Sequence, residues 1–137
     1  MLAKGWTDAK LDDLFKKCFL EKIPPREGGW DSVNDFFDVF SGGEKQRCGM
    51  ARLLYHHPKF AILDECTSAT SIESEGPIYE LVKSSGITIL TVSHRPNLWR
   101  YHERMLRFDD NQGWELLGMD EVLKNPHQVE ALRRAEE

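Results

Sequence analysis

Three short runs in this sequence place chemistry-bearing residues in a fixed order. Ser41-Gly42-Gly43-Glu44 stands at the head of a helical stripe, and Asp64-Glu65 closes the apolar run Phe60-Ala61-Ile62-Leu63. His94 follows a second, β-branched run, Ile87-Thr88-Ile89-Leu90-Thr91-Val92. A serine followed three residues later by glutamate is a capping box, in which hydroxyl and carboxylate each satisfy a backbone N–H. The remaining free N–H groups and the helix dipole favour an anion there, and the glycines let a phosphate come close. Charge follows the same division: residues 41–60 sum to +3 (four basic, one acidic) and residues 61–80 to -5 (no basic, five acidic). A phosphate site beside a metal site requires such a pairing. Taken one at a time, each run also fits plain structure: a capped helix, a strand meeting a polar turn, an ordinary histidine, a solvated charged face.

The elements that must hold these residues follow from periodicity. Thr7 opens an amphipathic stretch with Leu11, Leu14, Phe15, Cys18 and Phe19 on one face, and Pro24-Pro25 ends it. Residues 26–40 read as an irregular loop. Cys48, Ala51, Leu54 and Tyr55 continue the helix begun at Ser41 until Pro58. The run 60–63 reads as a strand covered on both faces. A helix over about 71–85, with Ile78, Leu81 and Val82 inward, must begin or bend at Pro77. Strand, helix and strand at this spacing form a parallel crossover unit. Residues 104–108 and 114–117 are spaced to pair as a hairpin, and a polar, helix-prone tail from about Met119 breaks at Pro126.

The chain has 137 residues, one domain or part of one. With 18 Lys+Arg against 23 Asp+Glu, its net charge of -5 argues against non-specific nucleic-acid binding, which relies on excess basic side chains. No apolar stretch approaches the roughly 20 residues that cross a bilayer as a helix. Three cysteines, Cys18, Cys48 and Cys66, without a Cys-x-x-Cys pair argue against a disulfide framework or a zinc site and for a reducing compartment. His56, His57, His102 and His127 read as structural or surface residues, and the four tryptophans as packing.

Ser41-Gly42-Gly43-Glu44-Lys45-Gln46-Arg47 resembles the signature motif of ATP-binding cassette (ABC) proteins, usually Leu-Ser-Gly-Gly-Gln, with Phe40 and Glu44 at the outer positions. The run ending in Asp64-Glu65 is similar to the Walker B strand of that family. Thr67-Ser68-Ala69-Thr70-Ser71 takes the place of the D-loop, with Ser71 where the family carries aspartate. His94, 29 residues after Glu65, matches the switch histidine. The resemblance covers residues 7–117 and implies an α/β fold: part of a P-loop NTPase (RecA-like) parallel sheet with the helical signature subdomain. It also implies ATP and Mg²⁺, with Asp64 orienting the metal, Glu65 polarising the attacking water and His94 contacting the γ-phosphate. Ser41, Gly42, Gly43 and Glu44 would serve the ATP of a second nucleotide-binding domain, and Ser68 and Ala69 would belong to the D-loop.

Arg26-Glu27-Gly28-Gly29-Trp30-Asp31, Asp64-Glu65-Cys66-Thr67-Ser68-Ala69 and the run Ser93–His102 are similar to subfamily D, peroxisomal half-transporters of long-chain fatty acyl-CoA. A sister branch that exports cobalamin from lysosomes fits these runs less well. No Gly-x-x-x-x-Gly-Lys-Ser/Thr occurs, so the phosphate-loop strand is expected to be missing and the chain is not expected to turn over ATP alone. Residues 1–118 would be the carboxyl-terminal part of the nucleotide-binding domain and 119–137 a helical tail. An intact transporter would sit at the cytosolic face of the peroxisomal membrane; the fragment would be soluble. Two alternatives stay open: a non-catalytic module that lends its signature motif to a complete domain, and a soluble ABC ATPase of translation or DNA repair.

Overall fold

The computed structural model describes residues 5–108, 113–127, 129 and 130. Its contacts divide the chain into two units, one ending at Val92 and the other starting at Ser93.

In the first unit, Thr7 caps helix α1 (Asp8–Lys17), its hydroxyl accepting from Lys10 N–H. Leu14 and Cys18 turn into the core as the periodicity predicts. Phe19 does not: its backbone is left-handed (φ 58°), which breaks the helical phase, and its ring is exposed while Leu20 is buried. Pro24 and Pro25 begin a helix rather than only ending one. They occupy the first turn of α2 (Ile23–Glu27), where the missing N–H has no partner to lose. The stretch expected to be irregular also holds α3 (Phe36–Val39), capped by the Asp35 carboxylate.

Helix α4 (Gly42–His56) carries both halves of the capping box at Ser41 and Glu44. Met50, Ala51 and Leu54 are its buried stripe, packed toward α1. It stops at His57, left-handed at φ 47°, just before Pro58. Strand β1 (Phe60–Asp64) leads to α5 (Ile72–Ser84) and then β2 (Thr88–Val92). The two strands pair in parallel, Phe60 with Thr88 through Asp64 with Val92, as the crossover spacing predicts. Helix α5 runs through Pro77, starting at Ile72 instead of at the proline; Ile78, Tyr79 and Val82 are fully buried and Leu81 is half-buried.

Strand β1 corrects one expectation. It is covered on one face only: Ala61 and Leu63 are buried, while Phe60 and Ile62 are 67% and 75% exposed. Leu90 and Val92 lie beside Ile62 and Asp64 in register and are also exposed. Helices α4 and α5 supply buried stripes, but among the described residues nothing lies on the other face. A continuous apolar run specifies two covered faces only when layers exist for both.

The second unit holds a 3-10 helix (Pro96–Tyr101), the antiparallel strands β3 (Arg104–Phe108) and β4 (Trp114–Gly118), and α6 (Met119–Lys124). Its core joins Trp99, Met119 and Val122, with Met105 and Leu117 against them. Helix α6 contributes the buried Met119 and Val122 to this core. Trp99 is buried, and Trp30 stacks edge-on to Phe15 at 4.6 Å. Trp114 is 68% exposed, which departs from its expected packing role.

Candidate functional site

The signature turn and the acid turn are built as one piece in the first unit. Ser41 is extended (φ -63°, ψ 161°), so its hydroxyl folds back to accept from Glu44 N–H at 3.3 Å. The Glu44 carboxylate returns a 2.9 Å bond to Ser41 N–H. The N–H groups of Gly42 and Gly43 head the helix, where the ladder has no acceptor for them. With the dipole behind them they form an anion-receiving turn.

Glu44 sets a carboxylate beside that turn, and Arg26 answers it. The guanidinium meets both carboxylate oxygens, at 2.7 and 3.4 Å, while its Nε holds Glu27 at 2.6 Å. Bonding from Arg26 holds the Glu44 carboxyl down at about 2, with the capping-box bonds from Ser41 adding to it. Its hydrogen bonds to Glu44 and Glu27 raise the Arg26 guanidinium. The negative charge that the outer signature residue brings is thus matched by a cation.

At the end of β1, Asp64 is exposed and in register with Val92. Glu65 continues the ladder for one more bond, its N–H donating to Val92 C=O at 3.0 Å, and then turns left-handed (φ 45°). A non-glycine residue there is strained and is held only by its surroundings. One side chain, that of Gln46, makes four bonds to Glu65 and the loop that follows it. Gln46 Nε2 donates to Glu65 C=O (3.2 Å) and Ser68 Oγ (2.8 Å), and Gln46 Oε1 accepts from Ala69 N–H (2.7 Å) and Thr70 Oγ1 (3.4 Å).

The glycines gain a second reason from this contact. A Cβ on Gly43 would stand 2.8 Å from the Ala69 carbonyl oxygen, whereas one on Gly42 would meet only Ala69 Cβ at 3.5 Å. Gly43 is needed for the protein's own loop to approach, before any phosphate does. A groove of about 540 Å³ runs alongside α4 and β1, with Gln46, Met50, Leu53, Ile62, Asp64 and Glu65 among its walls.

The structure thus brings Ser41, Gly42, Gly43 and Glu44 together with Glu65, Ser68 and Ala69, and sets Asp64 next to Glu65. His94 is exposed and belongs to the second unit, two residues after β2. Among the described residues, no group of three or more His, Cys, Asp or Glu stands ready to hold a metal ion. Asp64 suits Mg²⁺ in its usual mode, where one or two carboxylates share the ion with substrate phosphates. Burial pushes the Cys18 thiol up to about 11 and raises Cys48 and Cys66 as well, so none is a ready nucleophile. His57 and His102 have structural partners, the carbonyls of Ser85 and Leu98.

Gln46 and Arg26 are the residues that periodicity alone misses. Gln46 lies one turn beyond Gly43 on the same face of α4, a signal readable only once the 65–70 loop is known to pass there. Arg26 stands eighteen positions before its acid, and no local spacing links them.

The ABC transporter family matches residues 8–68. Human ATP-binding cassette sub-family D member 3 is 54% identical over 112 residues, 82% of this chain and 17% of that protein. ABC transporter D family member 2 of Dictyostelium discoideum is 54% identical over 125 residues, 89% of this chain and 17% of the relative. The chain therefore spans about a sixth of the length of these relatives. A bacterial Atm1-family ABC exporter solved with ATP bound aligns with a TM-score of 0.74 at 24% identity, over 97% of this chain and 24% of the exporter chain. The shared fold is that of an ABC nucleotide-binding domain. The chain belongs to the ABC transporter family, where it groups with subfamily D as a carboxyl-terminal portion of the nucleotide-binding domain.

Proposed function

We propose that this chain supplies the signature turn and the acid turn of an ATP-hydrolysing domain in a subfamily D half-transporter. Its cargo is long-chain fatty acyl-CoA, moved across the peroxisomal membrane from the cytosolic face. The observation that carries this is the joint between the head of α4 and residues 65–70. It places an anion-receiving turn and a rigidly held acid on one body.

Two nucleotide-binding domains enclose ATP between them. Ser41, Gly42 and Gly43 face the terminal phosphate of the nucleotide held by the second domain, with Glu44 neutralised by Arg26 beside them. Ser68 and Ala69 lie along the seam between domains. Glu65 accepts a hydrogen bond from the attacking water and polarises it, and His94 contacts the γ-phosphoryl oxygens. Asp64 would hold Mg²⁺, which would neutralise charge on the phosphates. The 137 residues contain no phosphate-loop motif, so turnover belongs to an assembly that provides one. Contact with the membrane comes through a transmembrane part outside this sequence.

Titration of MgATP tests the nucleotide half of the proposal. The chain alone is expected to bind MgATP weakly or not at all. Mixed with a complete nucleotide-binding domain of the subfamily, it forms an ATP-dependent complex that Ser41→Ala weakens. Micromolar binding by the chain alone, or a complex indifferent to ATP, overturns it. Phosphate release by the same mixture separates turnover from a purely non-catalytic role, in which Glu65→Gln leaves hydrolysis unchanged. Grafting residues 7–117 into the matching stretch of human sub-family D member 3 tests whether this chain serves a subfamily D transporter. ATPase activity of that chimera in proteoliposomes is expected to match the parent's, and an inactive chimera counts against the reading.

A further inference from the structure

The side chain of Gln46 has both ends committed, and to a single loop. Its amide nitrogen reaches the carbonyl of Glu65 and the hydroxyl of Ser68, and its amide oxygen receives Ala69 N–H and Thr70 Oγ1. No other residue type presents a donor and an acceptor on one planar group of that length, glutamate in its protonated form excepted. The loop it grips starts at a left-handed Glu65 and runs past Gly43, where the Ala69 carbonyl fills the space of a missing Cβ. Ser68 and Ala69 are themselves exposed, so burial does little to fix them. The amide on α4 ties them to the helix.

We infer that Gln46 is a positioning residue that locks the acid turn 65–70 to the first turns of α4, so that the signature turn and Glu65 shift as one rigid piece. Its mechanical content stands on these contacts alone; its consequence for turnover rests on the function proposed above. When a nucleotide presses on Gly42 and Gly43, the displacement passes through Gln46 and the Ala69 carbonyl to the backbone of Glu65. That links the half-site a chain lends to its partner with the acid it uses itself.

Amide hydrogen exchange on the 137-residue chain tests the lock. Ala69 N–H, on an exposed loop, is expected to exchange slowly in the wild type. Gln46→Leu keeps the volume and removes both ends, and is expected to speed that amide about tenfold, the equivalent of one net hydrogen bond. Met50 and Leu54 N–H on the same helix keep their rates. Gln46→Glu retains the acceptor, so Ala69 N–H stays protected at neutral pH. A role in packing alone would leave the leucine variant protected, or would slow neither variant relative to the other. Should Gln46→Leu fail to fold, Gln46→Glu decides alone: it is expected to keep Ala69 slow while Ser68 N–H, which donates to Glu65 C=O, speeds up. The inference is overturned by an unchanged Ala69 rate in Gln46→Leu, by equal acceleration at Ala69, Met50 and Leu54, or by wild-type rates at both Ala69 and Ser68 in Gln46→Glu.

A second arm uses the chimera with human sub-family D member 3. Gln46→Leu lowers kcat for ATP with KM nearly unchanged, since the loop positions the acid and not the nucleotide. An inactive wild-type chimera would count against the proposed function and leave the exchange result to judge the lock by itself.

Discussion

Arg26 and Glu44 form a two-pronged ion pair, with Nη1 on Oε1 at 2.7 Å and Nη2 on Oε2 at 3.4 Å, at the point where α4 offers its N-terminus. Glu44 thereby serves two masters at once, the capping box and the guanidinium. Its carboxyl stays near 2 against an ordinary 4.5. A folded-state value below the unfolded one means that the stabilisation is present above about 4.5 and is lost as pH falls toward 2. Carboxyl NMR titration of Arg26→Gln is expected to move the Glu44 midpoint upward, because the contact that lowers it most is lost. An unmoved midpoint would refute the pairing. The pair is partly exposed, so high salt weakens it.

Ser41→Ala removes the hydroxyl that accepts from Glu44 N–H. Loss of such a cap costs roughly 1 kcal/mol. Denaturant melts of the first unit are expected to show that loss without a change in slope, because the helix shortens and the core does not. Ser41→Asp, which keeps an acceptor, restores much of it in the isolated chain.

Gly42 and Gly43 separate cleanly. Gly42→Ala puts its methyl 3.5 Å from Ala69 Cβ, an ordinary contact, and helix propensity favours it. Gly43→Ala drives a methyl to 2.8 Å from a carbonyl oxygen and forces the loop to move, an overpacking cost of about 1–3 kcal/mol. Thermal melts of the two variants side by side check the order, and equal stability of both would contradict the close approach.

Much of this was legible in the residues themselves. The capping box, the two strands and their parallel pairing and the hairpin all follow from local periodicity and cap chemistry, and so does part of the α4 stripe: Ala51 and Leu54 are buried as expected, Cys48 and Tyr55 only half-buried, and Met50 joins the core unforeseen. What escaped the sequence depended on layers and distant partners. Phe60 and Ile62 read as buried because an apolar run carries no label for which face is covered. Pro77 sits inside α5 because packing of Ile78, Tyr79 and Val82 outweighs one lost N–H bond. Gln46 and Arg26 were invisible as a pair of clamps because their partners lie eighteen or more positions away in the chain.

Glu65→Gln changes the carboxylate to an amide of the same shape. In the chimera it is expected to retain ATP-dependent dimerisation while hydrolysis falls by at least about a hundredfold, the lower range for removing a general base. Hydrolysis at the wild-type rate would end the assignment of Glu65.

Phe60, Ile62, Leu90 and Val92 expose one apolar face of the β1–β2 pair, whose outer edges are also unpaired among the described residues. Light scattering of the isolated chain is expected to show a mass that grows with concentration. Ile62→Lys with Leu90→Lys is expected to return it to a monomer without loss of helical signal, since neither side chain serves the core.

The nearness of the Ala69 carbonyl to Gly43 has a genetic reading. Codon 43 has no neutral neighbour: every single-base change that alters the residue adds a Cβ against the Ala69 carbonyl oxygen and disturbs the head of α4 and the 65–70 loop together. On the proposed function, a screen for mutants that spoil the signature turn while leaving the acid loop in place is expected to recover changes at Ser41 and to miss those at Gly43.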